Sequence, residues 1–293
     1  MRVDCRKNLT PTNNMTTDHT IFVSRRKLVG WLAIGTAFFC AMGIMVVIAS
    51  GHHESKGWLM AFDLENEWNF PTIFSTLPLF AASAVLAAIA AERRSLRDSD
   101  FRYWVALAII FCFFGIDELT SIHNQARTLV PVTVSHFGLD PRFRWVVAGI
   151  VFAFVVGIIF LPFVLRLPHR TRWGMIVSGT IYVAASVGLE LVGGEWAERH
   201  TKDNWTYCAM VVTEETLEMI GALAFLDVLL TYIERELGGR ARLGAATLQL
   251  KSPIPAGSME FNPSDDLITN SPPSQRYGRT GRARTIRHPI SRG

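Results

Sequence analysis

Two stretches of this chain, Leu28–Ser50 and Trp145–Leu165, each run for more than twenty residues without a charged side chain. A hydrocarbon core about 30 Å thick needs about 20 mostly apolar residues per helix, so each stretch is long enough to cross a bilayer. Thr72–Ala91 is a third such run, broken only by Pro78, which a membrane helix tolerates as a kink. Trp173–Leu189 is uncharged and continues through Glu190 to Gly194. Tyr103–Ile116 offers 14 uncharged residues, about 21 Å of helix. That is too short to span, so this helix must carry Asp117 and Glu118 into the membrane zone. The last segment, 207–232, contains Glu214, Glu215, Glu218 and Asp227.

The expected fold is therefore all-α: a polytopic transmembrane bundle with spans at 28–50, 72–91, 101–122, 145–165, 173–194 and 207–232. Residues 1–27 form an N-terminal tail, 28–237 the membrane domain, and 238–293 a basic tail rich in Ser, Pro, Gly and Arg, expected to be disordered. Charge supports this division. Only 18% of residues are charged and 49% are hydrophobic, whereas soluble domains carry roughly 25% charged residues. The first 27 residues hold six basic and two acidic side chains, and residues 238–293 hold nine and three. The basic excess is thus confined to the tails, which excludes a nucleic-acid surface; the expected partner is the lipid bilayer. Of the four cysteines, Cys40 and Cys112 lie in apolar runs and Cys5 and Cys208 stand alone, so a disulfide scaffold is excluded.

Arg and Lys set the orientation. Arg25, Arg26 and Lys27 precede the first span, Arg93, Arg94, Arg97 and Arg102 fill the second connection, and Arg166, Arg170 and Arg172 the fourth. The first connection has only Lys56, the fifth Arg199 and Lys202, and the third Arg127, Arg142 and Arg144 spread over a longer loop. Both termini are expected in the cytoplasm, the chain lying in a bacterial inner membrane. All eight tryptophans fall near span ends, the distribution of an aromatic belt.

Depth then singles out the polar residues. Asp117, Glu190 and Glu214 all fall in the outer part of their helices, within about 10 Å of its edge. With Glu118, Glu215 and Glu218 they make six carboxylates on three helices, with His123 nearby and no Lys or Arg at the same depth. Each uncompensated carboxylate costs roughly 2.5–3.5 kcal/mol in the bilayer. Protonation, a bound cation or a wet cavity accommodates such groups. Asp117, Glu118, His123, Glu190, Glu214, Glu215 and Glu218 are accordingly the candidate ligands of a divalent metal ion. Glu214, Glu215 and Glu218 lie within one 100° arc, so one partner can see all three. Asp117, Ser121 and Asn124 form a stripe if their helix continues. Gly193 and Gly194 permit close approach beside Glu190, or end its helix. The first outer connection brings Glu54, Asp63, Glu65, Asn66, Glu67 and Asn69, expected either to cover the carboxylates or to form an ordinary acidic loop. His52 and His53 point apart on a regular element and are left out of the site.

The chain resembles a family of uncharacterised multipass bacterial membrane proteins. The resemblance rests on Phe62-Asp63-Leu64-Glu65-Asn66 with Pro71 and Phe74-Ser75, on Asp117-Glu118 with Ser121 and His123, and on Leu167-Pro168 with Arg170-Thr171-Arg172. It continues in Gly188-Leu189-Glu190 with Gly193-Gly194, and in Glu214-Glu215-Thr216-Leu217-Glu218-Met219 with Gly221. It spans about 28–235 and implies a helical membrane protein without a specific activity. Asn124 stands where the family pattern often has a carboxylate.

Three function classes fit these residues. A membrane-embedded, metal-dependent enzyme leads, because carboxylates and a histidine on facing helices bind metal in helical bundles. The E-x-x-H spacing of di-iron bundles is missing, however, since Glu118 and His123 are five apart. A cation- or proton-coupled transporter is the second class, although the half nearer the termini offers only Asp227. A non-catalytic accessory subunit is the third.

Overall fold

The computed structural model describes residues 19–122, 144–243 and 246–250. Six of its helices are long and apolar enough to cross a membrane: α1 (Arg25–Ser50), α2 (Phe70–Ser95), α3 (Phe101–Thr120), α4 (Arg144–Arg166), α5 (His169–His200) and α6 (Trp205–Glu236). The fold is the expected all-α bundle. α1 and α4 are apolar around most of their circumference and bury little against the rest. Trp31, Ile34 and Ile48 on α1, and Val151, Phe154 and Ile158 on α4, are all more than half exposed on the protein itself. A helix of that kind is stable only where its surroundings are also apolar.

Local chemistry fixes the helix ends. Asn69 caps α2, its side-chain oxygen accepting the Thr72 N–H at 3.1 Å, with Pro71 in the first turn where a missing N–H costs nothing. Asn204 caps α6 in the same way, accepting the Tyr207 N–H at 2.9 Å. α1 stops at Gly51, whose φ of 64° lies in the left-handed region glycine tolerates. α3 stops at Thr120 because Ser121 also turns left-handed (φ 52°). The Asp117–Ser121–Asn124 stripe is thereby broken at Ser121, and Asn124 lies outside the described residues.

α2, α3 and α6 form the centre of the bundle. The core is concentrated towards one end, where Leu86, Ile89, Trp104, Phe163, Leu226, Leu229 and Ile233 are almost fully buried. Trp104 packs edge-on to Phe163 and beside Tyr232, so it is a core residue and not part of an interfacial belt. Trp31, Trp58, Trp68, Trp173 and Trp205 do remain exposed. α5 meets α6 at close range: a Cβ on Gly221 would come within 2.9 Å of the Tyr182 backbone nitrogen.

The core end also carries several charged pairs and both ends of the described chain. Arg25 binds Asp227 (2.7 Å), Glu234 (3.0 Å) and the Thr231 hydroxyl (3.0 Å), fastening the start of α1 to the end of α6. Arg93 donates to the Tyr232 hydroxyl, and Arg166 pairs with Asp100 at 2.7 Å. Beside them lies a three-stranded sheet, order β1-β3-β2, from β1 (His19–Val23), β2 (Arg240–Leu243) and β3 (Ala246–Leu250). β1 pairs parallel with β3, and β2 antiparallel with β3. Residues 240–243 and 246–250 therefore depart from the expected disordered tail. Ala241 and Leu250 are buried in the core, and apolar residues alternate through Ala246, Leu248 and Leu250 as a half-buried strand requires. The two ends meet on one face of the bundle, as an even number of spans demands.

Candidate functional site: an acidic cavity

Opposite the packed core the helices diverge around a cavity of about 620 Å³. Four of the six expected carboxylates line it: Glu118 from α3, Glu190 from α5, and Glu214 and Glu215 from α6. Asp117 and Glu218 do not. They lie around Tyr182, which is in electrostatic range of Glu218, Glu118, Asp117 and Glu215. Glu118 is in turn in range of both Glu215 and Glu218. Glu218 is also in range of Glu214, Glu215 and Glu190, so it belongs to the same neighbourhood as the cavity carboxylates, and His123 lies outside the described residues.

The position of Glu190 has a local cause. α5 contains one wide, π-helical turn, Ala184–Leu189, directly before it. A π turn inserts one residue and rotates everything downstream by about 100°. The helix then runs on through Gly193 and Gly194 to His200, so these glycines do not end it. They line the cavity instead, and their missing side chains leave room beside Glu190.

The first acidic connection forms the remaining wall. After α1 the chain makes a short 3-10 helix, Gly57–Phe62, and then a turn built on Asp63. The Asp63 carboxylate accepts hydrogen bonds from the Ser55 hydroxyl, the Asn66 side-chain amide (2.9 Å) and the Glu65 N–H (3.1 Å). Its carbonyl accepts one from the side chain of Asn69, the α2 cap. Glu65 reaches across to the far hairpin, where one carboxylate oxygen accepts from the Tyr207 hydroxyl (3.0 Å) and the Lys202 ammonium (2.8 Å). On α2, the Ser75 hydroxyl lies 2.6 Å from the Glu118 carboxylate. Of the two expectations for this connection, the cover over the carboxylates matches the geometry.

Two sequence inferences change here. Lys202 shares the cavity with the carboxylates, at the end of α5, where a span ending at residue 194 had not carried it. His52 and His53 also line it, their rings 4.6 Å apart. The backbone at His52 is left-handed (φ 62°), so the regular-element geometry that separates adjacent side chains does not apply. Tyr182 and Tyr207 escaped the sequence reading because nothing in spacing alone joins them to the glutamates, and Ser75 entered it only as a landmark of the family resemblance. Among the described residues no three His, Cys, Asp or Glu side chains are close enough together to hold a metal ion.

Fold and cavity define a class: a six-span helical membrane protein with an acidic recess at the end opposite its strands β1 to β3. Residues 31–233 match the family model described as a domain of unknown function, DUF8692, and the chain belongs to that family. The match takes in four spans whole and most of the first and sixth, with every described carboxylate of the cavity. No curated protein and no solved structure matches the chain.

Proposed function

We propose that this membrane protein works by binding a cation in the acidic cavity, with the cavity facing out of the cell and both termini in the cytoplasm. The observation that carries this reading is the convergence of Glu118, Glu190, Glu214 and Glu215 on one recess whose described lining includes a single Lys or Arg, Lys202. Carboxylates collected at membrane depth are costly unless a positive charge, a proton or water meets them. The Arg-rich connections at the opposite end support the orientation.

The metal-dependent enzyme remains the reading for a cation that is a divalent ion. It would require Glu118, Glu190, Glu214 and Glu215 to draw closer around the ion, because no three of the described side chains stand close enough to hold one. Passage of a cation through the bundle is less well supported. Asp227 is paired with Arg25, and Met219, Ala222 and Leu226, all almost fully buried, lie between it and Glu215 along α6.

Binding is tested by calorimetric titration of purified protein in nanodiscs with magnesium, manganese and methylammonium, alongside a Glu190→Gln/Glu214→Gln double variant. The reading expects saturable uptake of at least one of these cations, lost in the variant. Wild-type protein that takes up none of them refutes it. Elemental analysis of the same samples separates a tightly held metal from a weakly held cation.

A further inference from the structure

We infer that the cation taken by the cavity is the head of an amphiphile, an alkylammonium compound whose chain lies along the aliphatic wall of the same recess. The inference rests on the reading of the cavity as a cation site and adds the chemistry of the ligand. Size comes first. A water molecule takes about 30 Å³, so 620 Å³ is far more room than an ion and its few waters fill. It falls within the roughly 300–1,000 Å³ typical of sites for organic molecules.

The lining comes second. Besides its carboxylates the cavity is bounded by Val46 and Val47 of α1, Leu64 of the first connection, and Val211 and Val212 of α6. Val211 and Val212 directly precede the Thr213-Glu214-Glu215 turn, so apolar and anionic surface adjoin on a single helix. A bare metal ion has no use for that apolar wall, and a neutral lipid none for the glutamates. An ammonium group on a hydrocarbon chain satisfies both: charge-assisted hydrogen bonds at Glu190, Glu214 and Glu215, and apolar burial along the valines. Such a molecule partitions into the bilayer, which is where these helices lie.

Cys208 lines the cavity and reports its occupancy. The experiment uses the full chain in nanodiscs with Cys5, Cys40 and Cys112 replaced by serine, and follows maleimide labelling of Cys208 by mass spectrometry. Octylammonium should slow labelling about tenfold at saturation, because an occupied recess shields the thiol. Octanoate and octanol should leave the rate unchanged, and butylammonium should need a higher concentration than octylammonium. Glu190→Gln/Glu214→Gln should abolish protection while retaining the wild-type helical circular dichroism. If Cys208 is unreactive in the free protein, His53→Cys at the exposed rim supplies the thiol, with the same expectations.

Equal protection by octanol would mean that partition alone fills the cavity and would overturn the inference. Protection by magnesium or methylammonium without protection by octylammonium would overturn it too, and would leave the cation reading standing. Protection by none of these would remove both.

Discussion

Glu65 and Tyr207, 142 residues apart in the chain, are joined by a 3.0 Å hydrogen bond in which the tyrosine hydroxyl donates to the carboxylate. That bond, with the Lys202 ammonium on the same oxygen, ties the first connection to the α5–α6 hairpin over the cavity. Tyr207→Phe combined with Lys202→Ala should free this cover without unfolding the bundle. Losing two such bonds to a partly exposed carboxylate should raise hydrogen exchange across residues 57–69 roughly tenfold. Exchange in the core-end half of α2 should be unchanged. Unchanged exchange in 57–69 would show that the Asp63 turn holds the cover unaided.

Glu190 and Glu214 line one cavity from different helices, so they should act as a unit in cation binding. We expect Glu190→Gln and Glu214→Gln each to weaken binding about tenfold or more, and the pair to be far less damaging than the product of the two. Asp117→Asn, outside the cavity lining, should be milder than either. Titration of the four proteins decides this. Strictly multiplicative losses would mean two independent sites.

Arg25 meets three partners on α6, and its side chain is about one quarter exposed. Because water screens part of the interaction, Arg25→Ala should cost only roughly 1–2 kcal/mol. Unfolding by SDS titration, monitored by circular dichroism, measures it. Asp227→Asn should cost less, since Arg25 keeps Glu234.

Gly221 faces the Tyr182 backbone at a distance where no Cβ fits. Gly221→Ala should push α5 from α6 and cost roughly 1–3 kcal/mol in the same titration. Gly179 meets nothing within 4 Å at its Cβ position. Gly179→Ala should therefore be neutral or slightly stabilising.

Much of this architecture can be read from residue patterns, and the exceptions have physical reasons. The spans follow from apolar run length, so all six were legible, including α6 despite its glutamates. Glu118, Glu190, Glu214 and Glu215 could be brought together from depth alone. Asp117 and Glu118 share a depth and differ only in which way they face, which depends on the rotation of α3 against its neighbours. Glu190 is aimed by a π turn that leaves no mark in composition. Lys202 joins the cavity because α5 continues past two glycines that sequence rules allow as a stop. The strands at 240–243 and 246–250 were hidden for a different reason: their short alternation was outweighed by the long polar stretch after it.

Orientation can be checked directly. With native cysteines replaced by serine, Asp203→Cys should react with a membrane-impermeant maleimide from outside intact cells, and Ser95→Cys only after lysis. Both positions are exposed. Labelling of residue 95 from outside would reverse the assignment.

The pairing of β1 with β3 sets an order of events during synthesis. His19 leaves the ribosome before the six membrane helices, yet its partner Ala246 lies 227 positions later in register. At translation speeds of about 5–20 residues per second, β1 waits roughly 10–45 s for its neighbour. Throughout that interval its backbone donors and acceptors depend on water, chaperones or the headgroup layer. The sheet closes only after the sixth helix has left the tunnel, so its closure marks a chain whose insertion is complete.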